Sequence, residues 1–152
     1  MDEQASQERS VTDLADMVLR GAMPPPPVAR LVGFQVVAVE RGRAVVDFEA
    51  GEQHHNPMGT LHGGILCDVA DAAMGIAYVS TLEPGETFTT LELKINFLKP
   101  IKKAKLRATG RVVKRGRTIG LVECDVIDEQ ETLVARASST CMTLRGEQAK
   151  GR

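Results

Sequence analysis

The sequence predicts an α+β domain, a curved antiparallel sheet of five or six strands wrapped around one long central helix. Three observations lead there. From Gly63 to Leu82 the chain is apolar nearly all round, with Asp68 and Asp71 as its only charges. A helix of that composition belongs in an interior, not on a surface. Most of the rest reads as short strand-like runs divided by turn formers. Those runs carry one apolar face that must be covered, and the long helix is the only large element able to cover it.

At 152 residues the chain is sized for one domain with its own core. The hydrophobic fraction of 43% and net charge of −1 describe an ordinary globular protein. They argue against a nucleic-acid surface, as does the scarcity of stacking platforms: no Trp, one Tyr and four Phe. Cys67, Cys124 and Cys141 are odd in number, far apart and each inside an apolar run. They read as reduced core thiols, neither a disulfide framework nor a zinc site. The acidic start, MDEQASQERS, is unlike a secretory or transit leader, and no apolar run reaches spanning length. The expected location is cytoplasmic.

In order, residues 1–9 and 146–152 are polar ends. Val11, Leu14, Met17, Val18 and Leu19 fall at helical spacing, with Ser10 or Thr12 as N-cap. Pro24 to Pro27 break that helix, and Pro27 suits the first turn of a short one over Val28 to Leu31. The expected division is an extension over 1–27, a domain over 28–145 and a tail over 146–152. Phe34 to Glu40 and Arg43 to Ala50 read as strands joined at Arg41-Gly42. A loop rich in turn formers follows, then the long helix, ending near Glu83-Pro84-Gly85. Leu91, Leu93, Ile95 and Phe97 alternate with polar residues as in a half-buried strand. Leu106 to Val113, Ile119 to Ile127 and Leu133 to Leu144 supply three more. Short connections predict consecutive pairing, a meander.

The chemistry concentrates in His54 to Ala77, HHNPMGTLHGGILCDVADAAMGIA. Gly63-Gly64 open the long helix, where free N–H groups and the positive end of the dipole favour an oxyanion. Asp71, two turns further on, is a carboxylate in an apolar helix, paired, protonated or used. Donors plus a carboxylate are the minimum for polarising a carbonyl and activating water.

On these residues the sequence resembles the hotdog-fold acyl-CoA thioesterases, in the group typified by the phenylacetic-acid-degradation thioesterases. The likeness rests on Asn56-Pro57-Met58-Gly59-Thr60-Leu61-His62-Gly63-Gly64 with Ala70-Asp71. Weaker support comes from Leu91 to Pro100 and from Val113-Lys114-Arg115-Gly116-Arg117. The resemblance implies a thioester hydrolase working at a subunit interface of a homodimer or homotetramer, with no cofactor beyond the coenzyme A of the substrate. Gly63 N–H and the Asn56 side chain would polarise the thioester carbonyl. Asp71 from the partner subunit would act as general base or as direct nucleophile. A strand hydroxyl, Thr90 or its neighbour Thr89, would orient water. His62 and Gly64 would line the substrate site, as would Met58, Met74 and Tyr78 the acyl pocket. Lys114, Arg115 and Arg117 would meet the coenzyme A phosphates, with Gly116 allowing close approach.

Other readings of these residues compete. Asp68, one turn before Asp71, is either a solvated charge or a group that raises the Asp71 pKa. His55 and His62 lack a third ligand for a metal. A His/Asp pair would suit an enoyl-CoA hydratase or dehydratase, though those lack the Asn and double-Gly pattern. Ser138 and Ser139 have no partners of a serine hydrolase. The Lys99, Lys102, Lys103, Lys105 cluster reads as a solvated hairpin. A non-catalytic acyl-CoA-binding or sensing protein is the alternative from another class, disfavoured because a binder needs no base.

Overall fold

A computed structural model of the chain describes residues 11–152. Ser10 as N-cap and the polar segment before it lie outside the described residues. Helix α1 spans Val11–Leu19 and packs against the first strand. Helix α2 spans Pro27–Val32 with Pro27 in its first turn, where the ring's fixed φ suits a helix and its missing N–H is not required. Gly33 closes α2 in left-handed backbone, φ 95°, its N–H donating to Ala29 O.

Six strands follow the expected runs: β1 Phe34–Glu40, β2 Arg43–Ala50, β3 Thr87–Phe97, β4 Ala104–Arg115, β5 Ile119–Ile127 and β6 Leu133–Leu144. Helix α3, Gly63–Val79, lies across them and packs against all six. A flat six-stranded sheet is about 24 Å wide, more than twice the breadth of one helix. Contact with every strand therefore requires the sheet to curl around α3, which is the hotdog arrangement.

The sheet order is β1-β2-β4-β5-β6-β3, antiparallel throughout. This corrects the expected meander. Strands β4, β5 and β6 do form one, but β3 leaves β4 and pairs with β6 at the far edge. The cause is α3, which carries the chain across the sheet before β3 begins. The return, Leu98 to Lys103, spans three strand spacings, about 14 Å, within the ~25 Å reach of seven Cα steps.

Close approach between α3 and the sheet depends on small residues at two positions. A Cβ on Gly110 would lie 2.3 Å from Ala73 O, so the helix backbone rests directly on β4. A Cβ on Gly120 would lie 2.3 Å from the Tyr78 ring, whose hydroxyl hydrogen-bonds Thr143 Oγ1 at 2.7 Å in the core. The helix ends at Val79, four residues before Glu83. Ser80 and Thr81 stop it by donating their hydroxyls to Ala77 O and Tyr78 O, and Ser80 Oγ also accepts from Gly42 N–H. Glu86 then anchors the turn into β3, ion-paired to Arg115 and Arg145. Burial alone would raise the Glu86 carboxyl, but the Glu83 N–H and the two guanidinium groups hold it below the usual range.

Candidate active site

The loop before α3 is fixed by its own side chains. Buried His54 hydrogen-bonds Val32 O through Nε2 at 2.8 Å and accepts from Gly51 N–H at Nδ1. Asn56 Oδ1 accepts from Met58 N–H at 3.0 Å and Thr60 N–H at 3.2 Å, an Asx-type turn. Asn56 Nδ2 donates one hydrogen to Thr60 Oγ1 at 3.0 Å. Its second amide hydrogen remains for a ligand.

His62 caps α3, with Nδ1 accepting from Gly64 N–H at 2.9 Å. Gly64 N–H is thereby committed. Among the described residues nothing accepts from Gly63 N–H, which stands at the positive end of a 17-residue helix. Both glycines are explained by rings. A Cβ on Gly63 would lie 2.7 Å from Phe97 Cζ, and one on Gly64 would lie 2.9 Å from His62 Nδ1. Asn56 and Gly63 share a cleft of about 390 Å³, walled mainly by Leu61, Leu66, Phe97, Leu98 and Ile101. The arrangement offers two N–H donors beside an apolar floor, which suits a carbonyl joined to an apolar group.

Asp71 lies elsewhere, eight residues and about 12 Å further along α3. It is open to solvent in the single chain and accepts from Thr90 Oγ1 at 3.3 Å. Partial desolvation pushes its carboxyl above the ordinary value, the Thr90 hydroxyl pulls it down, and the Asp68 charge adds to the rise. Thr90 reaches Asp71 because of a bulge: pairing with β6 slips between Thr90 and Glu92, leaving Leu91 as the extra residue. Without the slip, the alternation that turns Leu93 and Ile95 inward would turn Thr89 inward as well. With it, Thr90 stands opposite Cys141 on the inner face. Leu91, expected on that face, is 53% exposed.

The Lys114 to Arg117 turn sits at the opposite end of α3 from Gly63, beside Tyr78 and the start of β3. Arg115 is committed within the chain: it pairs with Glu86 at 2.9 Å, contacts Thr81 and lies 5.2 Å over the Tyr78 ring. Lys114 and Arg117 are exposed, and among the described residues their side chains make no ion pair. Of the expected pocket residues, Met74 and Tyr78 are core and Met58 is 82% exposed; none lines the cleft. Lys99, expected to be solvated, pairs with buried Asp128. Among the described residues no group of three or more His, Cys, Asp or Glu is placed to hold a metal.

Sequence reasoning missed Phe97 and the Leu98–Ile101 linker as cleft walls. It also missed Thr60, although an Asn followed four residues later by Thr in a Gly-containing turn is a recognisable Asx signal.

The comparisons with known proteins agree with this fold. The family model described as the thioesterase superfamily matches residues 58–135. A 1,4-dihydroxy-2-naphthoyl-CoA hydrolase of Listeria monocytogenes is 33% identical over 72% of this chain and 89% of its own. Human acyl-coenzyme A thioesterase 13 is 26% identical over 66% of this chain and 72% of its own. Among solved structures, a phenylacetic acid degradation-related protein from Ralstonia eutropha is 34% identical, with TM-score 0.76 over 84% of this chain and 98% of that one. The PaaI protein of the Escherichia coli phenylacetic acid degradation operon is 25% identical, with TM-score 0.77 over 87% and 94%. The chain belongs to the thioesterase superfamily and is a thioester hydrolase on the hotdog fold.

Proposed function

We propose that the chain hydrolyses an acyl- or aryl-acyl-CoA thioester to the free acid and coenzyme A. The observation that carries this reading is the unclaimed Gly63 N–H at the start of α3, facing an apolar cleft beside the Asn56 amide. These two donors hold the thioester oxygen and stabilise the charge it gains as the carbonyl is attacked. Asp71 takes a proton from water as water attacks and returns it to the departing thiolate of coenzyme A; or it attacks the carbonyl itself, the thiolate leaves, and water then hydrolyses the resulting acyl anhydride to the free acid. The Thr90 hydroxyl orients the carboxylate. Hydrolysis of this bond needs only water as co-reactant. The names of relatives that act on CoA esters support the substrate class.

The donors and the carboxylate stand apart in one chain, and a second copy reunites them. Strand β3 is a sheet edge, paired on one side only, with Leu91 and Phe97 exposed along it. The Asn56–Gly63 cleft lies at its Phe97 end, whereas Asp71, Thr90 and the Lys114–Arg117 turn lie toward its Thr87 end. Antiparallel pairing of two β3 edges about a two-fold sets the Phe97 end of one beside the Thr87 end of the other. It brings Asp71 of the partner subunit toward the cleft, with Arg117 of the partner subunit behind it for the coenzyme A phosphates. The proposed enzyme is a homo-oligomer of the cytoplasm. No helix among the described residues is long and apolar enough to cross a membrane.

The test is thiol release from aryl, short, medium and long acyl-CoA esters by wild type and Asp71→Ala. Turnover of at least one ester, lowered a hundredfold or more in the variant (roughly the size of general-base effects), is expected. Tight binding with no release by either protein would favour the sensor reading. Full release by Asp71→Ala would remove Asp71 from the reaction.

A further inference from the structure

Behind Asp71 a line of hydroxyl and thiol groups runs into the core. Thr90 on β3 and Cys141 on β6 stand directly opposite one another on the inner face. Thr90 Oγ1 is 3.3 Å from Asp71 Oδ1, and Cys141 Sγ is 3.7 Å from Ser139 Oγ. Cys141 is 0% and Ser139 1% exposed, so water does not compete at the inner end. A hydroxyl has one proton to give and two lone pairs to receive. A second donor into the Thr90 oxygen from behind strengthens and orients the bond it gives to Asp71.

We propose that Cys141 is a positioning residue: its S–H, backed by Ser139, donates into Thr90 Oγ1 and so directs the Thr90 proton at Asp71. The line then runs in one sense, Ser139 O–H to Cys141 Sγ, Cys141 S–H to Thr90 Oγ1, Thr90 O–H to Asp71 Oδ1. Each member donates once, and each bond polarises the next. Burial pushes the Cys141 thiol up, outweighing the downward pull of the neighbouring Ser139 and Thr90 hydroxyls, and the Asp71 charge adds to the rise. The S–H therefore stays in place wherever Asp71 titrates. Other groups bearing on Asp71 come from its own helix, the Asp68 carboxylate and the half-buried Cys67 thiol. The catalytic consequence rests on the hydrolase reading above; the orientation of Thr90 does not.

Two readouts test it, the Asp71 carboxyl titration followed by 13C NMR and the acid limb of kcat/KM for thiol release. Thr90→Val removes the last donor and raises the midpoint by about one pH unit, the order expected for a hydrogen bond to a charged group. Cys141→Ala raises it in the same direction. Cys141→Ser, which keeps a donor, returns it to the wild-type value. Thr90→Val with Cys141→Ala shifts it no further than Thr90→Val alone, because Cys141 acts only through Thr90. Should Cys141→Ala not fold, Cys141→Val takes its place as the donor-free variant. An unmoved midpoint in the donor-free variant, or shifts that add in the double variant, overturns the proposal. If the midpoints move as stated but thiol release survives Asp71→Ala, the line stands and the hydrolase reading falls. If Asp71→Ala is inactive and the donor-free midpoint is unmoved, the reverse holds.

Discussion

Replacing Asn56 separates two tasks that its amide performs at once. The oxygen holds the loop by accepting from Met58 N–H and Thr60 N–H, while the nitrogen has a hydrogen to offer a substrate carbonyl. Asn56→Asp keeps both acceptor contacts and loses the donor. Asn56→Ala loses all of it. Met58 is exposed and its N–H turns to water, whereas Thr60 N–H is half-buried and is left poorly satisfied. The Ala variant is therefore less stable by about 1–2 kcal/mol. At roughly 3 °C per kcal/mol for a chain of this size, its Tm falls by ~5 °C, while that of the Asp variant stays within ~2 °C of wild type. Turnover follows a different order. Both variants lose the donor and fall by roughly 100- to 1000-fold in kcat, the Asp variant further because its charge repels the developing oxyanion. Thermal unfolding by circular dichroism and thiol release at saturating ester measure the two effects. An Asp variant within tenfold of wild-type kcat, or an Ala variant as stable as the Asp variant, would refute the division of labour.

Asp68→Asn tests the field around Asp71. The Asp71 carboxyl is raised from its ordinary value of 3.8, so the active carboxylate form is lost as pH falls through a midpoint above that value. Removing the neighbouring charge should move the acid limb of kcat/KM to lower pH, and a limb that stays or rises would discharge Asp68 from that role. The same raised group binds its proton more tightly folded than unfolded. Its contribution to stability therefore falls as pH rises through the midpoint. Arg115→Ala and Arg117→Ala should part company. The first breaks a part-buried ion pair and a ring contact, lowering stability by about 2 kcal/mol while Arg145 still serves Glu86. The second leaves Tm unchanged and raises KM for CoA esters several-fold, more at low salt. Equal KM for wild type and Arg117→Ala would remove the phosphate contact.

The fold was legible where local pattern decides it. The apolar run after Gly63 announced a buried helix, and the six strand runs are where alternation and turn residues put them. Strand order was not legible, because short connections suggest neighbours, and only the crossing of the sheet by α3 sends β3 to β6. The helix end was misplaced for a related reason. Pro84 and Gly85 are strong breakers, but the Ser80 and Thr81 hydroxyls compete for the helix carbonyls one turn earlier. At the site, the Gly63-Gly64 helix start and a carboxylate at Asp71 two turns on could be read from the residues themselves, whereas Asn56 entered only through the family resemblance. Thr90 rather than Thr89 depends on a bulge that no alternation rule reveals. Arg115 was expected at the coenzyme A phosphates, and its ion pair with Glu86 arises only when β4 and the turn before β3 meet. Cys141 read as a plain core thiol, since its neighbour Thr90 comes from a strand about a third of the chain away.

A site shared between two subunits is the central claim, and mixed dimers address it directly. Asn56→Ala and Asp71→Ala are each at about a hundredth of the wild-type rate or less as homodimers, the first lacking the side-chain donor in both sites and the second lacking the carboxylate in both. When equal amounts are unfolded together and reassembled, about half the dimers carry one of each chain. In such a dimer one site takes Asn56 from the Asp71→Ala chain and Asp71 from the Asn56→Ala chain, and is intact. Thiol release should return to about a quarter of the wild-type rate. A mixture no more active than its two parents would mean that donors and carboxylate serve the reaction from within one chain.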